Sequence, residues 1–217
     1  MLIAALALAG CGGDGHERLK VSAAASLKAV FPKYDPHARY SFAGSDQLAA
    51  QIRAGARPDV YAAANTELPQ ALYRDHLVQR PVVFAGNRLV LATSSPRIRS
   101  LADAARPGVK LAIGSATVPA GVYARKVLAG RREVLANVRS EEPDVSGIVG
   151  KVEQGAVDGG FVYATDARAA GLRSIRLPDA RVRYAIAIVR PSRAATKFVR
   201  GLLAGAGRRL LLRAGFR

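Results

Sequence analysis

From Leu19 onward, short apolar runs alternate with segments whose apolar positions recur every three or four residues. Leu19 to Ala25 reads as a strand, and Ser26 opens a short helix through Phe31 that Pro32 interrupts. Arg39 to Ala43 is a second strand. Gly44-Ser45-Asp46 leads into a helix with Leu48 and Ile52 on one face, closed by Gly55. Asp59 to Ala63 is a third strand, followed by a helix around Leu68, Leu72 and Tyr73. Leu89 to Ala92 and Val109 to Ile113 are further strands, with a helical Leu101 to Ala105 between them. Pro119 starts a helix that Gly130 ends, and Ile148, Val149 and Val152 form a helix face closed by Gly155. Gly160 to Tyr163 and Tyr184 to Val189 are the last strands, and Phe198, Leu202 and Leu203 begin a C-terminal helical region. This alternation predicts an α/β fold with parallel sheets covered by helices on both faces. No fixed-period repeat and no low-complexity segment interrupts it.

The strand-to-helix turns share one chemistry. Ala23-Ala24-Ala25-Ser26-Leu27, Phe42-Ala43-Gly44-Ser45-Asp46, Val118-Pro119-Ala120-Gly121 and Asp144-Val145-Ser146-Gly147 are built from small or neutral residues, and none has a cation at its centre. In open α/β sheets ligands sit at the carboxyl ends of strands, where helix N-termini present unpaired N–H groups and a partial positive charge. Several such ends meeting in space would hold an anion by neutral donors, with serine hydroxyls adding to the amides. Taken singly, each turn reads first as an ordinary helix cap, and only their combination points to binding.

The 217 residues are half hydrophobic, enough for one sizeable domain or two small lobes. The formal net charge is +17, but the arginines are scattered (Arg53, Arg125, Arg139, Arg168, Arg193, Arg200), with no zinc-ligand spacing, aromatic stacking motif or helix-turn-helix pattern. Net charge alone bears on solubility and steering, so nucleic acid is not expected as a partner. Cys11, the single cysteine, excludes an intramolecular disulfide. It ends Leu8-Ala9-Gly10-Cys11 after the apolar run Leu2 to Ala9, with no Lys or Arg before Leu2. That arrangement resembles a bacterial lipoprotein signal, which makes residues 1–11 a signal peptide with its lipidation box and Cys11 the lipidated residue. Residues 12–18 would then be a flexible tether, and the protein would be exported and held at the membrane surface, in the periplasm or on the outer face of the cytoplasmic membrane.

Ala23-Ala24-Ala25-Ser26-Leu27, Ser41-Phe42-Ala43-Gly44-Ser45, Gln51-Ile52-Arg53-Ala54-Gly55-Ala56, Pro58-Asp59-Val60-Tyr61, Asn87-Arg88-Leu89-Val90-Leu91, Val118-Pro119-Ala120-Gly121-Val122-Tyr123-Ala124, Val162-Tyr163-Ala164-Thr165-Asp166-Ala167 and Tyr184-Ala185-Ile186-Ala187 occur in this order. The ordered set, running from about Leu19 to Phe216, resembles the periplasmic molybdate-binding proteins of ABC transporters. The resemblance implies a two-lobed type II binding-protein fold, each lobe a mainly parallel sheet flanked by helices. Lobe 1 would comprise residues 19–84 and 185–217, lobe 2 residues 88–180, with hinge crossings near 85–87 and 181–184. It also implies a binding set of Ser26 and Ser45, backbone N–H groups of Ala120 and Val145, and the phenolic O–H of Tyr163.

The same resemblance implies a monomeric, non-enzymatic protein that takes up molybdate or tungstate as an oxyanion, without cofactor or directly coordinated metal, and passes it to an ABC permease and its ATPase. Three departures stand out. Asp144-Val145-Ser146 replaces the usual context of the valine, Asp46 stands where a second serine is common, and the segment from Leu27 to Tyr40 is short, with Pro32 and Pro36 in it. Asp46 is expected to point outward and act as a helix N-terminal charge. Two alternatives stay open: another oxyanion such as sulfate, and an exported serine hydrolase. The hydrolase lacks a Gly-x-Ser-x-Gly elbow, and His16, His37 and His76 stand in no motif that marks a base.

Overall fold

The computed structural model describes residues 18–217. The expected signal segment with Cys11, and the expected tether as far as Glu17, lie outside the described residues. The strands are β1 (Lys20–Ala24), β2 (Arg39–Ala43), β3 (Val60–Ala63), β4 (Val82–Thr93), β5 (Leu111–Gly114), β6 (Val138–Glu142), β7 (Gly159–Tyr163) and β8 (Arg173–Ile188). The helices are α1 (Phe31–Tyr34), α2 (Ser45–Arg53), α3 (Glu67–Arg74), α4 (Pro119–Val127), α5 (Arg132–Ala136), α6 (Val145–Glu153), α7 (Ala164–Ala169), α8 (Arg193–Ala204) and α9 (Ala206–Ala214).

The strands form one sheet in the order β2-β1-β3-β8-β4-β7-β5-β6. Its two ends are parallel: β2-β1-β3 on one side and β6-β5-β7 on the other. The long strands β4 and β8 run antiparallel to each other through both, which divides the sheet into two lobes joined by two chain crossings. β1, β3, β5 and β7 are buried almost throughout, as parallel strands with helices on both faces must be. Alternate residues go to opposite faces. Val60 and Ala62 join the large core, whereas Tyr61 and Ala63 pack with Leu48, Ile52 and Leu72 beneath α2 and α3. In the second lobe Phe161 and Tyr163 face the large core, and Val162 packs with Ile148 and Val152 of α6.

Where β4 and β8 cross between lobes, Ala85 pairs with Tyr184, Gly86 with Arg183 and Asn87 with Val182. Register shifts on both sides of this stretch bend the ribbon. The chain end returns to the crossing: Gly86 and Arg217 exchange backbone hydrogen bonds at 2.6 and 2.9 Å, and the Phe216 ring meets Tyr184 edge-on at 5.4 Å.

Several sequence expectations are corrected here. Pro32 does not interrupt a helix beginning at Ser26. Ala25–Leu27 is a single 3-10 turn, and Pro32 sits in the first turn of α1, where its missing N–H costs nothing. The helix expected over Leu101 to Ala105 is a 3-10 turn at Asp103–Ala105. β6 and α5 had no counterpart in the pattern, and β4 and β8 extend far beyond their apolar cores. β6 reads Val-Arg-Ser-Glu-Glu, a polar edge strand whose charges also blunt an exposed edge.

Candidate functional site

Four of the five expected site residues come together at the junction between the lobes. Ser26, Ser45, Val145 and Tyr163 line one small chamber, with Ala24, Gly44, Val118, Pro119 and Asp144 among its other walls. The cavity volume is about 10 Å³, far below the ~300 Å³ at which pockets for drug-sized organic molecules begin. That is about the room that one water molecule takes, so an anion of several atoms enters only as the lobes give way around it. Ala120 is not among the lining residues; it follows Pro119 in the first turn of α4. Proline has no N–H, so the Ala120 amide is the first donor that α4 offers.

Each wall is placed by local chemistry. β1 runs into the 3-10 turn at Ala24, leaving Ser26 only 5% exposed, and β2 gives way at Gly44 to α2, with Ser45 as its first residue. A side chain on Gly44 would strike the carbonyl oxygen of Pro143 in the opposite lobe, so glycine is required for the lobes to approach this closely. Gly121 serves α4 in the same way, because a Cβ there would run into the backbone of Gly114 and Ser115 at the end of β5. At α6, the Asp144 carboxylate accepts from the amides of Ser146 (2.7 Å) and Gly147 (3.2 Å). This capping occupies the second and third amides of the helix and leaves that of Val145 as its remaining free donor.

The hydroxyl groups are set up as donors. Ser45 Oγ accepts the Ala64 N–H at 3.1 Å, so its own proton is available, while its carbonyl is fixed by the Tyr61 hydroxyl at 2.7 Å. Ser26 Oγ lies 2.8 Å from Tyr184 Oη. The direction of that bond is set by the next links. Asn87 Oδ1 accepts the Arg88 N–H at 2.8 Å, which orients the amide and sends Nδ2 toward Thr165 Oγ1 (2.9 Å) and Tyr184 Oη (3.5 Å). Tyr184 therefore receives from Asn87 and donates to Ser26, and Ser26 turns its proton toward the chamber. Tyr163 is 1% exposed, and its hydroxyl has no hydrogen-bond partner. Burial pushes the pKa of both Tyr163 and Tyr184 well above the usual phenol range, so both remain protonated donors.

No histidine, lysine or arginine lines the chamber. Asp144 is itself a wall, and two further carboxylates lie close by. Asp166, which bonds the Tyr163 backbone N–H, has its pKa pushed up to about 7, chiefly by burial and further by Asp144. One of its oxygens is buried without a partner. Asp46 corrects an expectation, since it does not point outward. Its Oδ2 accepts from Thr117 Oγ1 at 2.6 Å across the cleft, and its Oδ1 is buried and unpaired. That bond joins α2 of one lobe to the segment before α4 of the other, so the structure is closed. Tyr184, Asn87, Asp166 and Thr117 were not singled out as site residues from the sequence. Tyr184 and Asn87 stood inside quoted strand motifs, but only the pairing of β4 with β8 brings them to Ser26. Among the described residues, no cluster of three or more His, Cys, Asp or Glu could hold a metal ion, and no helix is long and apolar enough to cross a membrane.

Two parallel-sheet lobes on a two-strand crossing, with helix N-termini and hydroxyls converging on a closed chamber, define a solute-binding protein. The chain belongs to the bacterial extracellular solute-binding protein family, whose model matches residues 20–217. More narrowly, it is 33% identical over 224 residues to the molybdate-binding protein ModA of Mycobacterium tuberculosis, covering 94% of this chain and 85% of that one. It is 29% identical over 176 residues to the molybdate-binding protein ModA of Escherichia coli, covering 69% and 65%. Among solved structures, the Azotobacter vinelandii periplasmic molybdate-binding protein superposes with a TM-score of 0.80 at 21% identity, over 92% of this chain and 99% of that one. The sulfate-binding protein SubI of Mycobacterium tuberculosis superposes with a TM-score of 0.73 at 18% identity, over 92% and 86%.

Proposed function

We propose that this protein captures molybdate, and tungstate alongside it, between its lobes and delivers the anion to an ABC permease driven by its ATPase. The observation that carries this reading is the Tyr163 hydroxyl, buried without a partner at a chamber that Ser26 and Ser45 also line. An unsatisfied buried hydroxyl costs about 1–3 kcal/mol, and an oxyanion in the chamber would repay it. The relatives named as molybdate-binding proteins support the choice of anion.

In this reading the binding set is Ser26, Ser45 and Tyr163 through their hydroxyls and Ala120 and Val145 through their amides. All are neutral, which suits a guest that must be released. The lobes are residues 19–84 with 185–217 and residues 88–180, hinged near 85–87 and 181–184. The anion bonds donors from both lobes and so favours the closed state by its differential affinity. Monohydrogen phosphate brings a proton that needs an acceptor. The Ser45 oxygen and Asp144 Oδ1 already accept from the backbone, so the acceptor open to that proton is the second oxygen of Asp144, and the phosphate titration below measures how far it serves. The protein works as an exported monomer without cofactor, anchored through lipid on Cys11. A hydrolase is disfavoured because His37 and His76 are exposed and neither lines the chamber.

Sulfate is the second reading, favoured by the likeness to a sulfate-binding fold. Calorimetric titration with molybdate, tungstate, sulfate and phosphate, repeated on Ser26→Ala and Ser45→Ala, separates the two. Molybdate and tungstate should bind far more tightly than sulfate, with both variants weakened. Equal or tighter sulfate binding, or serine variants that bind as the parent does, would overturn the assignment.

A further inference from the structure

The hinge carries an arrangement that the binding of an anion between the lobes does not use. Arg88 on β4 lies directly across from Arg181 on β8, and Val90, two residues on, pairs with Arg176. The backbone exchange between Gly86 and Arg217 draws a fourth arginine to the same place. Arg88, Arg176 and Arg217, with Ser174 and Gly215, line a depression of about 290 Å³. Among the described residues, no carboxylate stands within ion-pair distance of any of these four guanidinium groups. Asp179, between Arg176 and Arg181 in sequence, pairs with none of them.

Like charges directly opposite one another on paired strands are destabilising, and among the described residues no side-chain carboxylate pairs with these arginines to offset the repulsion. Its effect is visible at Arg88, whose hold on its proton is weakened by Arg217 first, then by partial burial, Arg176 and Arg181. Planar guanidinium forks match the oxygen geometry of phosphoryl groups and grip them in pairs. We propose that this depression is a second anion site, built for a phosphoryl group of two or more negative charges held by Arg88, Arg176 and Arg217. It differs from the inter-lobe chamber in chemistry, cations in place of neutral donors, and in size, about 290 against about 10 Å³.

Inorganic pyrophosphate is a suitable probe because it is too large for the chamber. Titrated into the protein at physiological salt, it should bind saturably with one equivalent. The Arg88→Gln/Arg176→Gln double variant should lose at least about tenfold in affinity. A charge-matched control, Arg200→Gln/Arg209→Gln on α8 and α9, should bind as the parent does. Unliganded Arg88→Gln should melt no lower than the parent at low salt, since it removes repulsion and no pairing. Sedimentation with phosphatidic acid vesicles, whose phosphomonoester headgroup carries up to two charges, distinguishes the sources of the group. Capture lost in the double variant assigns a lipid headgroup, and pyrophosphate binding without vesicle capture assigns a soluble phosphate. The proposal falls if pyrophosphate does not saturate, if the control loses as much as the double variant, or if Arg88→Gln lowers the melting temperature.

Discussion

Replacing Tyr163 by Phe tests the binding set at its most informative atom. The substitution removes one oxygen and keeps the ring, which packs edge-on against Tyr184 at 5.6 Å. In the unliganded protein that oxygen bonds nothing, so its loss should leave the melting temperature unchanged or raise it slightly. In the liganded protein the hydroxyl would donate to a charged guest, a bond worth about 1.5–3 kcal/mol. At about 1.4 kcal/mol per tenfold, molybdate affinity should fall roughly 10- to 150-fold. At saturating ligand, the same energy is missing from ligand stabilisation. For a chain of this size each kcal/mol moves the melting temperature by about 2–4 °C, so the molybdate-induced shift should shrink by about 3–12 °C. Calorimetry and thermal melts with and without molybdate give both readouts. The reasoning is refuted if affinity is unchanged, which means the hydroxyl does not meet the guest, or if the unliganded variant is destabilised by several kcal/mol, which means it has another partner.

Closure depends on contacts that exist only when the lobes meet. Thr117→Val deletes the bond to Asp46, worth about 0.5–1.5 kcal/mol net, and should weaken molybdate about 2- to 12-fold in calorimetry with the unliganded melt unchanged. Gly44→Ala places a methyl group against the Pro143 carbonyl; small-angle scattering should show a protein that stays folded but fails to compact with molybdate. Asp166 makes both stability and binding depend on pH. Its folded-state pKa, about 7 against an ordinary 3.8, means that the folded protein binds the proton more tightly. The stability this group contributes is complete below pH ~4 and is lost as pH rises through 7. An ionised Asp166 would also repel a dianion, so molybdate affinity should drop between pH 6 and 8, and Asp166→Asn should flatten both trends in melts and titrations.

The class of fold and most of the chamber's inventory were legible in the order of residues alone. Near-continuous apolar runs such as Val60-Tyr61-Ala62-Ala63 specify strands buried on both faces, and small neutral residues at the turns mark where helix ends can approach a ligand. Ser26, Ser45 and Val145 stand at such turns, and the resemblance to the molybdate-binding proteins picked them out together with Tyr163. How these local pieces meet was settled by contacts between distant elements. β6 and the outer parts of β4 and β8 are strands because neighbouring strands pair with them, although their side chains lack a buried strand's pattern. Tyr184 donates to Ser26 across 158 positions of chain, Asp46 reaches Thr117 across 71, and Arg88 faces Arg181 across the crossing. Hydrophobic period is a short-range signal that fixes which face of an element is buried. A hydrogen bond or a charge pair between elements depends on register and lobe closure, which only the folded chain sets.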